Sequence, residues 1–226
     1  MESQLERILE PEWMDTFEEA DAYDRMDHSA VNRAFVETLL ALRSDGGTVL
    51  DVGTGPAHIP IELATRSRAT RVVAIDAARH MLAYGRRHVE RTGLSDRVRL
   101  ACCDGKRLPF ADGAFDAVMT NSIVHHIPDP VPCFREMRRV LKRDGALLIR
   151  DLHRPHDRDE LDRLVETHAQ DADPTQRQLF ADSLHAAFTV GEVERMLRAA
   201  GFTDVVVSKT SDRHWTAERA DRSAER

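Results

Sequence analysis

Cysteine is scarce in this chain, which has three among its 226 residues: Cys102, Cys103 and Cys133. The number is odd, and all three lie in apparent core elements. A disulfide-stapled fold is therefore disfavoured, because such folds pair an even set of cysteines. The sequence predicts reduced thiols in the core.

Long apolar runs are missing as well. No stretch approaches the length that spans a membrane, and the first ten residues, MESQLERILE, lack the apolar region of a signal peptide. We therefore expect no membrane span and a cytoplasmic location.

An excess of positive charge is also lacking, since 32 Lys and Arg residues face 39 Asp and Glu residues, for a net charge of −7. The chain as a whole does not attract a phosphate backbone, although a local basic patch remains possible. This disfavours nucleic acid as a partner. The length and the apolar fraction of 42% fit one globular domain.

The most informative stretch is TVLDVGTGPA, which begins at Thr48. Its first five residues are apolar or β-branched except for Asp51, which predicts a buried strand that runs into Gly53 and Gly55. Glycine there permits a tight turn and the close approach of a ligand. The free N–H groups of the following helix and its dipole form an anion site, so we expect a negatively charged group to bind here.

Further apolar runs alternate with helical patterns along the chain. Strands are predicted at 48–52, 71–75, 98–102, 115–121, 146–151, 204–209 and 213–217. Strands that alternate with helices form a parallel sheet, which places the fold in the α/β class. The helix before residue 146 is expected to run to Gly145, and the residues after Thr216 are expected to fray.

Polar side chains follow two of these strands directly. Asp76 can accept both ribose hydroxyls of an adenosine, and it can also cap the next helix; the two roles are compatible. Asp104-Gly105, after the third strand, is by itself ordinary turn chemistry.

Glycine spacing separates the possible ligands. The dinucleotide fingerprint G-x-G-x-x-G places its last glycine at position 58, where this chain has His58. An NAD-binding oxidoreductase is therefore the weaker alternative.

The spacing of Asp51, Gly53, Gly55 and Ala57 instead resembles motif I of the class I S-adenosylmethionine-dependent methyltransferases, in which the last of these positions is often glycine. Two longer stretches, FDAVMTNSIVHHIPDP and REMRRVLKRDGALLIRDL, closely resemble the small-molecule branch of this family. That branch is typified by the ubiquinone and menaquinone biosynthesis methyltransferases. The resemblance covers about residues 48–152.

The methylases that act on nucleic-acid bases carry an Asn/Asp-Pro-Pro-aromatic run after the fourth strand. This chain has Asn121-Ser122-Ile123-Val124 at that place. The difference again favours a small-molecule acceptor.

The resemblance implies a three-layer α/β sandwich with a Rossmann-like, seven-stranded, mostly parallel sheet in the order 3-2-1-4-5-7-6, its last strand antiparallel. It implies a single methyltransferase domain over residues 1–226. The expected parts are an N-terminal lid and helix (1–46), a cofactor-binding core (47–152), a substrate-side helical insert (153–188) and a closing helix with strands (189–226).

The resemblance implies S-adenosyl-L-methionine as the cofactor. In the family, the position of Met81 packs beside the adenine, and the acid at Asp104 accepts a hydrogen bond from the adenine amino group. The expected cofactor contacts are Tyr23, Asp51, Gly53, Gly55, Asp76, Ala77, Met81, Asp104, Gly105 and Asn121.

The segment from Pro11 to His28 is acidic but too apolar for a solvated tail. Its apolar residues are Trp13, Met14, Phe17, Tyr23 and Met26. We expect a lid over the cofactor, with Tyr23 at the methionine end by resemblance; packing of Tyr23 on the first helix is the alternative.

Methyl transfer from a sulfonium needs little acid or base help, because the leaving group is already activated and the enzyme mainly aligns the reactants. If a base is used, histidine suits the task, and His125, His126 and His153 all follow strand ends. A structural hydrogen-bonding role for each is the alternative. Arg154 can bind an anionic group or remain a solvated loop charge.

The acceptor pocket is expected between the lid, the His125-His126 loop, His153-Arg154 and the insert helices. Its expected contacts are His126, Arg154 and Ser183. The types of His153, His156 and Asp157, with His125 and His126, would suit a metal, but their spacing matches no strong ligand signature, so no metal is expected.

The sequence therefore predicts an enzyme that transfers a methyl group from S-adenosylmethionine to a small-molecule acceptor. The alternatives are a nucleic-acid or protein methyltransferase and a non-catalytic S-adenosylmethionine-binding module. The sequence does not specify the acceptor atom or the oligomeric state.

Overall fold

The computed structural model describes residues 5–12 and 15–222. Trp13 and Met14, two of the apolar residues of the expected lid, lie outside the described residues. Within the described ranges, no helix has both the length and the apolar character needed to cross a membrane.

The strands of the described chain form one sheet. They are β1 (Gly47–Val52), β2 (Thr70–Asp76), β3 (Val98–Cys102), β4 (Phe115–Asn121), β5 (Leu141–Leu152), β6 (Val206–Lys209) and β7 (His214–Arg219). Their order is β3-β2-β1-β4-β5-β7-β6, and β7 runs antiparallel to both of its neighbours. The predicted fold class, strand order and antiparallel last strand are confirmed.

Helices cover both faces of the sheet. They are α1 (Phe17–Asp24), α2 (Ser29–Leu42), α3 (His58–Arg66), α4 (Arg79–Arg91), α5 (Val131–Val140), α6 (Arg158–His168), α7 (Pro174–Ala186) and α8 (Val190–Ala199). One face packs Phe35 and Leu39 of α2 against β1. The other packs Phe134 of α5 and Val193 of α8 around Trp215, which is fully buried. Apolar strands buried on both faces are typical of such a parallel sheet.

The helical insert forms a small core of its own beside the end of β5. Asp173 caps α7 through the backbone N–H groups of Thr175 and Gln176, and Pro174 occupies the first turn, where a missing N–H costs nothing. Leu161 of α6 and Leu184 of α7 are both buried there.

The strand β5 begins earlier than the sequence predicts. The helix α5 ends at Val140, and Leu141 already pairs with Phe115, whereas the regular ladder resumes only at Ala146. The residues between form a bulge. Glycine is required at position 145 because a Cβ there would lie 2.6 Å from the Asp116 carbonyl oxygen. The expectation of a helix up to Gly145 was wrong.

The expected fraying after Thr216 was also wrong for residues 217–219, whereas residues 223–226 lie outside the described residues. The strand β7 continues to Arg219, whose guanidinium is buried and donates to the Gly145 carbonyl oxygen at 2.7 and 3.0 Å. Pairing with β5 on one side and β6 on the other holds these charged residues in the sheet.

The cysteines are not all core residues. Cys133 is buried, but Cys103 is half-buried and Cys102 is exposed, because β3 is the edge strand of the sheet. The prediction of core thiols was therefore wrong for Cys102.

Candidate active site

The turn between β1 and α3 forms the floor of the site. The backbone N–H groups of Gly53 and Thr54 both donate to the Ile75 carbonyl oxygen at 2.9 Å, which fixes the turn on β2. Gly53 has φ +72°, and a Cβ there would lie 3.0 Å from Ile123 Cδ1 and closer still to its Cγ2. A side chain at this position would collide with the loop after β4.

Ala57 occupies a left-handed conformation, φ +63°, directly before α3. Glycine is favoured in this region, which gives a physical reason for the residue that the family often has here. Ala57 is fully buried and belongs to the core cluster that also holds Leu63 and Val72. The backbone strain is therefore partly offset by packing.

Asp76 supports the turn from the end of β2. Its Oδ2 accepts from the Gly55 N–H at 2.7 Å, and its Oδ1 accepts from the Ala78 N–H at 2.8 Å. Burial raises the pKa of Asp76. Each carboxylate oxygen has a second lone pair, so Asp76 can hold the backbone and still accept hydrogen bonds from a ligand.

A cavity opens at the carboxyl ends of β1, β2 and β4, with an empty volume of about 1110 Å³ that includes open solvent. Most of the sequence-predicted contacts line it. They are Tyr23, Gly53, Gly55, Asp76, Ala77, Met81, Asp104, Gly105, Asn121 and His126. The structure thus brings together at one site residues spread over a hundred positions.

Asp51 is placed differently, because its side chain is buried within the sheet, with 2% of its surface exposed. Burial raises the pKa of Asp51 to about 7. Its Oδ2 has no hydrogen-bond partner among the described residues. Asp51 therefore lies beneath the cavity and does not line it.

The helix α1 lies beside the cavity, which Tyr23 lines. Tyr84 Oη on α4 donates to Asp21 Oδ1 at 2.9 Å, and Asp24 Oδ1 lies 2.7 Å from His88 Nε2. These contacts hold α1 against α4, and Tyr23 lines the cavity with its ring 5.2 Å from that of His28.

His125 is oriented by a buried carboxylate. Its Nδ1 donates to Asp151 Oδ1 at 2.5 Å, and the Val124 N–H donates to Asp151 Oδ2 at 2.5 Å. Burial lowers the pKa of His125, but Asp151 and Glu10 outweigh it, and the net shift is upward. His125 has 4% of its surface exposed, so it orders the loop and does not itself line the cavity.

His126 is the histidine that lines the cavity. Burial and the neighbouring His125 lower the pKa of His126 to about 4, which keeps its imidazole neutral at neutral pH. Its Nδ1 lies 3.0 Å from Glu10 Oε1.

Sequence reasoning missed the N-terminal residues Arg7 and Glu10. Arg7 Nη2 donates to the carbonyl oxygens of His125 and Ile127, and its guanidinium stacks on Phe188 at 3.7 Å. Glu10 accepts from Ser183 Oγ at 3.2 Å. An acidic, amphipathic start of the chain gives no signal for such contacts, because their partners lie more than a hundred positions away.

The remaining predicted acceptor contacts lie away from the cavity. Arg154 is buried, donates to the Ala187 carbonyl oxygen at 3.1 Å and pairs with Glu192 at 2.7 Å. Its charge is neutralised by Glu192, which completes the capping box of α8 with Thr189, and Arg154 does not line the cavity. His153 is half-buried between Arg213 and Phe188, and Ser183 reaches the site through Glu10.

The potential metal ligands that lie close together are not His153, His156 and Asp157, where the sequence predicts no metal site. Among the described residues, ligand atoms come within 4.8 Å of one another in two groups. These are Glu10 with His125 and His126, and Asp24 with His58 and His88.

Residues 50–149 match the model of a methyltransferase domain family. The ubiquinone/menaquinone biosynthesis C-methyltransferase of Geotalea uraniireducens is 30% identical over 113 residues, which are 50% of this chain and 48% of that protein. The chain thus aligns with about half the length of that relative. The demethylmenaquinone methyltransferase of Bacteroides fragilis is 28% identical over 203 residues, 82% of each chain.

A solved structure shows the same fold. The S-adenosylmethionine-dependent methyltransferase of Aquifex aeolicus superposes with a TM-score of 0.65 at 22% identity, covering 90% of this chain and 97% of that one.

Proposed function

We propose that this chain, a member of the class I methyltransferases by its matched domain and its sheet order, transfers a methyl group from S-adenosylmethionine to a small-molecule acceptor. One observation carries the proposal. All of the expected cofactor contacts except Asp51 line a single cavity at the strand ends, where open α/β sheets bind ligands.

The charges around the cavity favour S-adenosylmethionine over NAD. Asp76 and Asp104 line it, and the lining Lys106 is paired with Glu12. Such a lining suits a sulfonium cation and repels a pyrophosphate. We infer that Asp76 holds the ribose hydroxyls, that Asp104 and Met81 hold the adenine, and that Tyr23 and Asn121 lie at the methionine end.

The free N–H groups at the start of α3 are the anion site that the sequence predicts. In this proposal they receive the carboxylate of the methionine moiety, the one anionic group of the cofactor. The left-handed residue Ala57 directs the chain into α3 at this point.

The histidines contribute mainly by position. His126 borders the cavity, but an imidazole whose pKa is about 4 is a weak base. His125 is held between Asp151 and Glu10, and His153 lies elsewhere. Alignment of the acceptor with the methyl group therefore accounts for the chemistry in this proposal, with His126 as an acceptor contact.

The size of the acceptor is restricted by what surrounds the cavity. The helix α1 covers one side, and residues 5–12 pack on the loop that carries His126. This arrangement suits a small molecule better than a duplex or a folded protein. The cytoplasmic location expected from the sequence stays a prediction within this proposal.

Titration calorimetry tests the ligand assignment. We expect one molecule of S-adenosylmethionine or S-adenosylhomocysteine to bind per chain, with NAD binding far more weakly. Saturable binding of NAD without binding of either methionine-based ligand would refute the proposal.

A further inference from the structure

Glu10, His125 and His126 bring three potential metal-ligand atoms together beside the cavity. Glu10 Oε1 lies 3.4 Å from His125 Nε2 and 3.0 Å from His126 Nδ1. The three side chains are 11%, 5% and 19% exposed, so they are largely shielded from water. They come from two distant parts of the chain, which meet because Arg7 fastens the N-terminal segment to the loop after β4.

The buried carboxylate of Asp151 fixes which nitrogen of His125 is available. A carboxylate accepts, so Nδ1 must donate the 2.5 Å hydrogen bond to Asp151, and in the neutral ring Nε2 then carries a lone pair. That lone pair meets the Glu10 carboxylate, which is also an acceptor. A carboxylate behind a ligating histidine is the usual outer partner at metal sites.

The two separations from Glu10, 3.4 and 3.0 Å, are close to those around a small metal ion, and all three ligand atoms lie within 4.8 Å of one another. With bonds of about 2.0–2.1 Å in tetrahedral geometry, ligand atoms lie about 3.3 Å apart. The distance from Glu10 to His125, 3.4 Å, is long for a hydrogen bond. His126 Nδ1 is buried and, despite its 3.0 Å approach to Glu10, makes no directed hydrogen bond within the described residues.

We propose that Glu10, His125 and His126 form a binding site for a divalent transition-metal ion of the Zn²⁺ type, with Asp151 as the residue that positions His125. Two imidazoles and one carboxylate are a ligand set that such ions prefer. A fourth coordination position remains for water or for a heteroatom of a bound molecule. The metal also joins the N-terminal segment to the loop that borders the cavity.

The second group, Asp24 with His58 and His88, lacks this arrangement. Arg91 donates to His88 Nδ1 at 2.9 Å, so His88 Nε2 carries the hydrogen and donates to Asp24 at 2.7 Å. Both ring nitrogens of His88 are therefore already used in hydrogen bonds, Nδ1 as an acceptor and Nε2 as a donor. This group supplies a matched control.

The test measures Zn²⁺ binding to the untagged, metal-stripped full chain by titration calorimetry, with the metal content checked by mass spectrometry. We expect one equivalent of Zn²⁺ to bind to the unaltered protein. Glu10→Gln and His126→Gln should each weaken binding at least tenfold, and Asp151→Asn should weaken it by about 10–100-fold. Asp24→Asn should bind as the unaltered protein does.

Two results would overturn the proposal. One is the absence of saturable Zn²⁺ binding by the folded protein, which would mean that a proton alone lies between His125 and Glu10. The other is binding that survives Glu10→Gln and His126→Gln but is lost in Asp24→Asn. Because no step uses methyl transfer, an inactive protein that binds Zn²⁺ as expected would support this site and count only against the proposed function.

Discussion

Replacing Gly53 with alanine adds one methyl group at the tightest point of the turn between β1 and α3. The new Cβ would lie 3.0 Å from Ile123 Cδ1 and 3.1 Å from Ile123 Cβ. Rotation of the isoleucine side chain cannot move its own Cβ away, so the loop after β4 must shift. Overpacking of this kind costs about 1–3 kcal/mol.

The backbone adds a second cost. At φ +72°, an L-residue is in the left-handed region, which costs about 1–2 kcal/mol. We therefore expect Gly53→Ala to lower the free energy of unfolding by about 2–5 kcal/mol. Gly55→Ala is the matched control, because φ is +54° there but the nearest atom to a new Cβ is Tyr23 Cε1 at 3.9 Å. Gly55→Ala should therefore lower the free energy of unfolding only by the backbone cost of about 1–2 kcal/mol.

Urea denaturation without ligand measures both variants by linear extrapolation. A double-mutant cycle with Ile123→Ala then measures the part of the collision that involves Cγ2 and Cδ1 of Ile123, since the loss of these atoms should leave the double variant less destabilised than the sum of the two single variants. Equal losses for Gly53→Ala and Gly55→Ala, or strict additivity in the cycle, would refute the steric reasoning.

Three further predictions concern other parts of the site. Asp76→Asn should weaken binding of S-adenosylhomocysteine by about 1–3 kcal/mol in calorimetry, because a charged acceptor is lost. The control Asp171→Asn, on the exposed insert, should leave the affinity unchanged. Unchanged affinity in a folded Asp76→Asn variant would remove Asp76 from the site. The folded-state pKa of Asp51 is raised from 3.8 to about 7, so the ligand-free native protein should lose stability as the pH rises from about 4 to 7. Asp51→Asn should remove that loss and be the more stable protein at pH 8. Parallel profiles of unfolding free energy against pH for the two proteins would contradict this. Cys102 should react with a thiol reagent in the native state, whereas Cys133, buried and with its pKa raised to about 12, should react only on unfolding; mass spectrometry of the labelled peptides distinguishes them, and equal labelling would be the contrary result.

Much of the sheet could be predicted because its signals are local. The apolar β-branched runs, the glycine turn after Val52 and the alternation of strands with helices each depend on a few neighbouring residues. The predictions were wrong where a residue distant in the sequence determines how long a strand or helix is. The bulge before Ala146 depends on the Asp116 carbonyl group, and the length of β7 depends on the contact of Arg219 with Gly145.

The residues of the site likewise fall into those that local patterns predict and those that depend on distant contacts. The residues at strand ends, such as Asp76 and Asn121, converge because parallel strands end at one edge of the sheet. The ion pair of Arg154 with Glu192, which joins the start of the insert to α8, could not be predicted from either segment alone. Glu10 was missed because its contact with His126 closes a loop of more than a hundred residues, which no local pattern encodes.

The central claim is tested most directly by supplying the purified protein with methyl-labelled S-adenosylmethionine. A small-molecule metabolite extract, RNA, DNA and a protein mixture are offered as separate acceptors, and the labelled product is identified by mass. Our account predicts label in a small-molecule product, and much less with Asp76→Asn at a limiting cofactor concentration. Label found only in RNA, DNA or protein, or no turnover with any acceptor despite cofactor binding, would contradict it.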